Sequence, residues 1–370
     1  MKHILIDGTT ISLRMDGLSQ YILNVVSRLP LCTDRQYHIV IRPGECPEEY
    51  LSLWRKQGLD VQTAPIAPIG PKREWQFRNW LRTQPAFDAA FIPSNQYPVA
   101  LTIPSLYVVH DIIYERYPEQ LGRWAAFKRW WLHRNVAKGL KQASKVIAVS
   151  RFTEQEILRF HPYTNRQKIS VIYEGWEHLN APQPDKQITI PLSDYILYIG
   201  SSRGHKNMQG LLNAMELAGD RIPNGKGLVI VGDNRMLTSR QHAQIKALHG
   251  KVITTGWLSQ AELNAYCKRA KAIIFPSLCE GFGIPALEAF YFHKPLLVSN
   301  TSSLPEVAGD AGIYFEPTNP EQIAQAMIRA LNMNSEEEVE WIQRGNKRLE
   351  LFSWKKTADE INNLLNDILI

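Results

Sequence analysis

The stretch FPSLCEGFGIPALEAF, residues 275–290, holds the chain's most concentrated chemistry. Glu280 and Glu288 bracket two glycines and a proline. Gly281 and Gly283 would let the backbone come close to a ligand. Pro285 suits the first position of a helix. A helix starting there would aim the amides of Gly283 and Ile284 at an anion or a hydroxyl, with its dipole behind them. Two carboxylates around such a start suit a polyhydroxylated ligand. The same pattern equally fits a plain strand–turn–helix whose glutamate offsets the dipole. A second group, IGSSRGHKN at 199–207, places Arg203 and Lys206 on a short loop before another helix. A third is His110–Asp111, where the strand-like run SLYVVH ends. Such a histidine either faces a cleft or is satisfied inside the core, and Asp111 reads as a cap for the next helix. A fourth is Asp16–Gly17–Leu18–Ser19–Gln20–Tyr21, where Gly17 either permits close backbone approach or simply makes a turn.

These groups need elements to position them. Short apolar runs at 3–7, 37–41, 89–93, 105–110 and 145–150 read as strands. So do those at 195–200, 227–232, 251–256, 272–277 and 295–300. Several are apolar throughout, as parallel strands covered on both faces are. Amphipathic runs such as 208–218, 259–270 and 321–332 read as helices between them. Alternation of this kind, twice over, predicts an α/β protein of two doubly wound, Rossmann-like domains. Ligands of such sheets bind beyond the carboxyl ends of the strands, which is where all four groups fall. The proline-containing stretch around 178–194 has no helical period and reads as a linker. The expected organisation is a domain over 1–180, a linker over 181–193 and a second domain over 194–352.

The run at 275–290 resembles the E-x7-E signature of glycosyltransferase family 4, retaining enzymes of the GT-B fold. YILYIGSSRGHKN at 195–207, GWLSQAELNAYCKRA at 256–270 and SSLPEVAGDAGIYFEPTNPEQIAQAM at 302–327 resemble that family's C-terminal domain in the same order. DGLSQYI, VVHDIIYERYPE and VIAVSRFTEQEI look familial in the N-terminal half. Between residues 30 and 90 the likeness is weak. The resemblance implies that Glu288 binds a ribose, that Glu280 contacts the sugar of the donor, and that Phe282, Gly283 and Ile284 offer backbone amides to sugar and phosphate. Gly256–Trp257–Leu258 matches the loop that meets the nucleobase, although a tryptophan after a strand could equally be packing. Lys206 would neutralise a leaving diphosphate, with Arg203 as the second cation. The family usually has Arg immediately before that lysine, and here His205 stands there. His110 would contact the transferred sugar, and Gly17 the diphosphate. Gln20 stands where the family commonly has a basic residue. The helix over 353–370 would cross back to the N-terminal domain.

On this resemblance the chain is expected to be a hexosyltransferase with no cofactor, its nucleotide-sugar being a co-substrate. SSLPEVAGDAG favours GDP-mannose as donor and bacterial surface-polysaccharide synthesis as setting, with UDP-sugars open. The acceptor would be a saccharide or a lipid-linked saccharide. No Asp-x-Asp occurs, so a metal-dependent transfer has no evident anchor.

Composition bounds the alternatives. The chain has 370 residues, 44% hydrophobic and 21% charged, an ordinary globular mixture. Cys32, Cys46, Cys267 and Cys279 form no CxxC pair, and no targeting run is visible at the N-terminus, so a cytoplasmic location is expected. The net charge of +6 is uneven: residues 1–180 hold 23 Lys+Arg against 16 Asp+Glu, and residues 181–370 hold 19 against 20. Part of the excess lies in RWAAFKRWWLHRNVAKGLKQASK at 123–145. There Leu132, Val136, Gly139, Leu140 and Ala143 form one helical face. Arg123, Phe127, Trp130, Arg134, Lys138, Lys141 and Lys145 lie roughly opposite. A basic face with interleaved aromatics suits an anionic membrane surface, and equally a solvated helix packed on a neighbour. KREWQFRNWLR at 72–82 has the same character. Two rival classes remain. Gly200–Gly204 fits the G-x-S-x-G elbow of an α/β hydrolase, with Ser202 followed by Asp233 and His293. The pI of about 9.0 admits nucleic-acid binding, but no recognisable motif accompanies it.

Overall fold

Runs of buried Ile, Leu, Val and Ala pair into two all-parallel sheets in the computed structural model, which describes residues 1–180, 186–201, 203–232 and 237–369. The chain divides into two units, one of Met1–His178 with Ser353–Ile370, the other of Leu179–Phe352.

The first unit has seven strands: β1 (Lys2–Asp7), β2 (Arg35–Ile41), β3 (Asp60–Thr63), β4 (Ala89–Ile92), β5 (Ser105–Val109), β6 (Lys145–Ala148) and β7 (Ile169–Val171). Their order is β3-β2-β1-β4-β5-β6-β7, so direction reverses beside β1. Six helices accompany them: α1 (Gly17–Val26), α2 (Glu48–Lys56), α3 (Pro71–Leu81), α4 (Ile113–Arg116), α5 (Ala125–Gln142) and α6 (Arg151–Phe160). Ile4, Leu5, Ile6, Val108 and Val109 have no exposed surface, as central parallel strands require.

The second unit repeats the plan with β8 (Asp194–Ile199), β9 (Lys226–Val231), β10 (Val252–Gly256), β11 (Ala272–Phe275), β12 (Leu296–Ser299) and β13 (Gly312–Phe315), ordered β10-β9-β8-β11-β12-β13. Its helices are α7 (Met208–Ala218), α8 (Ser239–Ala247), α9 (Gln260–Arg269), α10 (Ile284–Tyr291), α11 (Leu304–Ala308), α12 (Pro320–Leu331) and α13 (Ser335–Leu349). Helix α9 opens on a capping box: Ser259 accepts from the Glu262 amide while Glu262 reaches back to Ser259.

The final helix, α14 (Trp354–Ile368), packs in the first unit. Ser353 caps it, and the Glu177 carboxylate accepts from the Trp354 amide at 2.7 Å. The Trp354 indole donates to His178 at 3.0 Å and meets Tyr21 edge-on. A Cβ on Gly175 would come within 2.0 Å of the Trp354 amide nitrogen, so this approach requires glycine.

Two expectations about charge are corrected. The 72–82 segment forms α3, but Arg73 is fully buried, ion-paired with Asp7 and Glu74, and is no surface cation. It sits there because the carboxyl end of β1 buries Asp7 and needs a counter-charge. Helix α5 starts at Ala125, after Trp124 in a left-handed conformation, and ends at Gln142. Val136, Gly139, Leu140 and Ala143 are buried, with Leu132 partly so. Arg123, Phe127, Trp130, Arg134 and Lys141 are exposed, whereas Lys138 and Lys145 are half-buried, the latter on β6. Among the described residues no helix is long and apolar enough to cross a membrane.

Candidate donor site

Strand β11 ends at Phe275, and the loop 276–283 carries the chain to the start of α10. Gly283 has φ +110° and is the N-cap; a Cβ there would meet Leu304 Cδ2 at 2.7 Å. Ile284 is the first residue of α10 and Pro285 the second, which leaves the opening turn without a side-chain cap. Pro285 has no N–H and the Ala286 amide donates to the Gly283 carbonyl at 2.9 Å, so the Gly283 and Ile284 amides are the candidate donors of this turn.

A serine–threonine strap after β12 shapes the loop. Ser303 Oγ lies 3.0 Å from the Glu280 carbonyl and 2.7 Å from that of Phe282. Ser302 Oγ accepts from the Glu280 amide at 3.0 Å, and Thr301 Oγ1 donates to Leu278. The Leu278 amide in turn donates to the His205 carbonyl at 2.7 Å, tying this loop to the one after β8. The result is one group from two distant motifs. Lys206 Nζ stands 2.7 Å from Glu280 Oε1 and 5.0 Å from the centre of the Phe275 ring. Glu280 is 8% exposed. Phe282 is buried with its ring edge-on to Phe352, and its carbonyl accepts from Ser303.

Glu288 projects from the second turn of α10. Burial pushes its carboxyl up to about 7, against the pull of the Lys206 ammonium. Arg203 is exposed, with no ion-pair partner among the described residues. His205 is buried, so the position where the family places an arginine is here an interior side chain. After β10, Trp257 is 63% exposed and Leu258 half-buried, which leaves a flat ring available for stacking.

In the first unit, His110 follows β5 with both ring nitrogens engaged: Nε2 lies 3.0 Å from the Pro93 carbonyl and Nδ1 3.4 Å from Glu174. Its ring meets Tyr21 edge-on at 4.6 Å. Asn95 accepts from the His110 amide and Asp111 from the Ile113 amide, which fixes this turn. Gly17 is exposed as the first residue of α1, behind the Asp16 cap. Glu174 and Thr301 were not singled out in the sequence, and Tyr21, Ser302 and Ser303 were quoted in runs without the contacts they make here. Glu174 follows β7, a strand too short to be read; the two serines of the strap lie inside a familial run but carry no charge to draw notice.

A cation, a carboxylate and a helix N-terminus held together in this way can neutralise a phosphate and bind hydroxyls. Of the hydrolase alternative, Ser202 and Asp233 lie outside the described residues, and His293 is hydrogen-bonded to Asn346 at 2.8 Å.

Two parallel Rossmann-like units with this loop define the GT-B class, and comparison with known proteins specifies it. A sequence model of glycosyl transferases group 1 matches residues 184–348, and one of Glycosyltransferase Family 4 matches residues 15–177. The chain is 27% identical over 332 residues to O-antigen chain mannosyltransferase RfbU of Salmonella typhimurium, covering 86% of this chain and 89% of that one. It is 27% identical over 243 residues to O-antigen chain mannosyltransferase B of Escherichia coli; this match covers 63% of each chain, less than two thirds of that relative. Among solved structures, HepE from Anabaena with UDP and glucose aligns at TM-score 0.73 and 17% identity, over 99% of both chains. WaaG, a glycosyltransferase of lipopolysaccharide biosynthesis, aligns at 0.71 and 15%, over 98% of this chain and 99% of that one. The protein is a glycosyltransferase and belongs to family 4.

Proposed function

We propose that the chain transfers a hexose, with mannose favoured, from a nucleotide diphosphate sugar to a saccharide or lipid-linked saccharide, retaining the anomeric configuration. The observation that carries this reading is the Lys206–Glu280 pair, 2.7 Å apart on the loops after β8 and β11. The ammonium has three donors, of which at most one faces Glu280. The others are suited to the oxygens of a diphosphate. Cleavage of the glycosidic bond adds negative charge to that leaving group, so Lys206, Arg203 and the Gly283 and Ile284 amides stabilise the transition state more than the ground state.

Glu280 and His110 hold the transferred sugar, Glu288 the ribose, Trp257 and Leu258 the base, and Gly17 the diphosphate. The second unit takes most of the donor and the first the acceptor, with His110 and Gly17 as the first unit's contacts to the donor. A donor phosphate oxygen takes the acceptor proton, which spares the protein a general base. Two relatives named O-antigen chain mannosyltransferases support mannose as the sugar, with GDP-mannose as the favoured donor, and an O-antigen setting; the UDP complexes of HepE keep a UDP-sugar in view. The exposed Trp124, Phe127 and Trp130 among arginines and lysines support peripheral contact of α5 with a membrane that carries the acceptor lipid, on its cytoplasmic side.

Transfer from radiolabelled GDP-mannose, UDP-glucose and UDP-galactose to lipid-linked saccharide tests the reading. Product should form with GDP-mannose, and Glu280→Gln and Lys206→Ala should each lower turnover by about 10²–10³ in folded protein. Near-native turnover in either would remove that residue from the site.

A further inference from the structure

Away from the donor residues, three side chains of the first unit converge. Glu115 on α4, His133 on α5 and His161 at the end of α6 bring one ligand-type atom each within 4.8 Å of one another. Glu115 and His161 are buried, and the His133 side chain is 45% exposed. His133 Nδ1 lies 2.6 Å from Glu115 Oε1, and Arg129 donates to Oε2 at 2.8 Å. The two imidazoles stack with centres 4.4 Å apart and planes at 25°.

Ion pairing alone accounts for Glu115, Arg129 and His133. It does not account for His161, whose buried Nε2 has no hydrogen-bond partner. Buried polar atoms are seldom left so, and each exception calls for a partner.

We propose that Glu115, His133 and His161 bind a divalent transition-metal ion of the Zn²⁺ type, joining α4, α5 and the end of α6. Two imidazoles and one carboxylate suit Zn²⁺, whereas Ca²⁺ and Mg²⁺ seek more oxygen ligands. In a tetrahedral site with bonds of about 2.0–2.1 Å, ligand atoms lie roughly 3.4 Å apart. Closing from 4.8 Å asks for rotation of the half-exposed His133 ring. Water completes the shell, and Arg129 stays on the second oxygen of Glu115 as the outer partner that ligating carboxylates commonly keep. The ion would fix α5, the helix that presents Trp130 and Arg134.

The test is calorimetric titration of the full chain, stripped of metal with a chelator, with ZnCl₂ alone. One ion per chain should bind, and saturating Zn²⁺ should raise the melting temperature. His161→Ala and Glu115→Gln should each weaken binding by about 100-fold or more, and Arg129→Gln by about 10-fold. His133→Ala keeps the test decisive if the buried variants misfold, because its ring is half exposed; it should abolish both binding and the thermal shift. His249→Ala, on an exposed turn of the second unit, should change neither. Absence of saturable binding at micromolar Zn²⁺, or equal affinity in His133→Ala and native protein, overturns the proposal.

Discussion

Glu288 is the residue whose environment makes the sharpest solution prediction. A ribose hydroxyl donates best to a carboxylate, and burial has lifted this carboxyl from about 4.5 to about 7. Below pH 7 the group is protonated and loses acceptor strength. Nucleotide affinity should therefore rise as pH increases through about 7 and level off above it. Glu288→Gln should remove that step and bind roughly tenfold or more weakly at pH 8, since hydrogen bonds to a charged acceptor contribute about 1.5–3 kcal/mol. A pH-independent affinity in the native chain would separate Glu288 from the nucleotide. The glutamate pair itself was legible because the E-x7-E spacing is long and specific. The partnership of Lys206 with Glu280 was not, since 74 residues separate them and only the β8–β11 neighbourhood joins their loops.

At the scale of elements, one carboxylate gathers the donors at the start of α14. Burial acts to raise the Glu177 pKa, but hydrogen bonds from Ser353, Trp354 and Lys355 outweigh it and leave the group below its ordinary 4.5. A depressed carboxyl stabilises the fold fully above its unfolded pKa, and that contribution is lost as pH falls through the lower folded value. Glu177→Gln should therefore reduce stability at neutral pH and flatten the fall between pH 5 and the folded value, read by urea unfolding along a pH series. An unchanged slope would place the hold on α14 elsewhere. Helix α5 gives a second expectation. Anionic vesicles should sediment the protein at low salt, and Arg123, Arg134 and Lys141 changed together to Glu should abolish this, each charge near the surface contributing about 1 kcal/mol. Sedimentation that survives the change would dismiss this face. Ten strands were readable as apolar runs; the unread three were edge or short. DVQT of β3 is mostly polar because it lies at a sheet edge, ISV of β7 has three residues, and GIYF of β13 leaves Tyr314 exposed. Periodicity reports coverage on both faces, and edge strands lack it.

For the molecule as a whole, the charge excess belongs to the first unit's sequence, yet the fold divides it unequally. Arg73 is buried on Asp7 and the exposed Arg129 is ion-paired with buried Glu115, while Arg123, Arg134 and Lys141 remain outside. Net charge alone could not make that division, because burial of a cation depends on which strand end places a carboxylate beside it. The second unit, nearly neutral by sequence, sets Lys206 and Arg203 on one loop at the carboxyl end of β8. By the proposed function, that unit holds a nucleoside diphosphate without any acceptor. Calorimetric titration of the full chain with GDP, in chelator, measures it directly. One saturable site that withstands chelation is expected, tighter than for ADP and lost in Lys206→Ala. No binding of GDP or UDP to folded protein, or undiminished binding in Lys206→Ala, would contradict it.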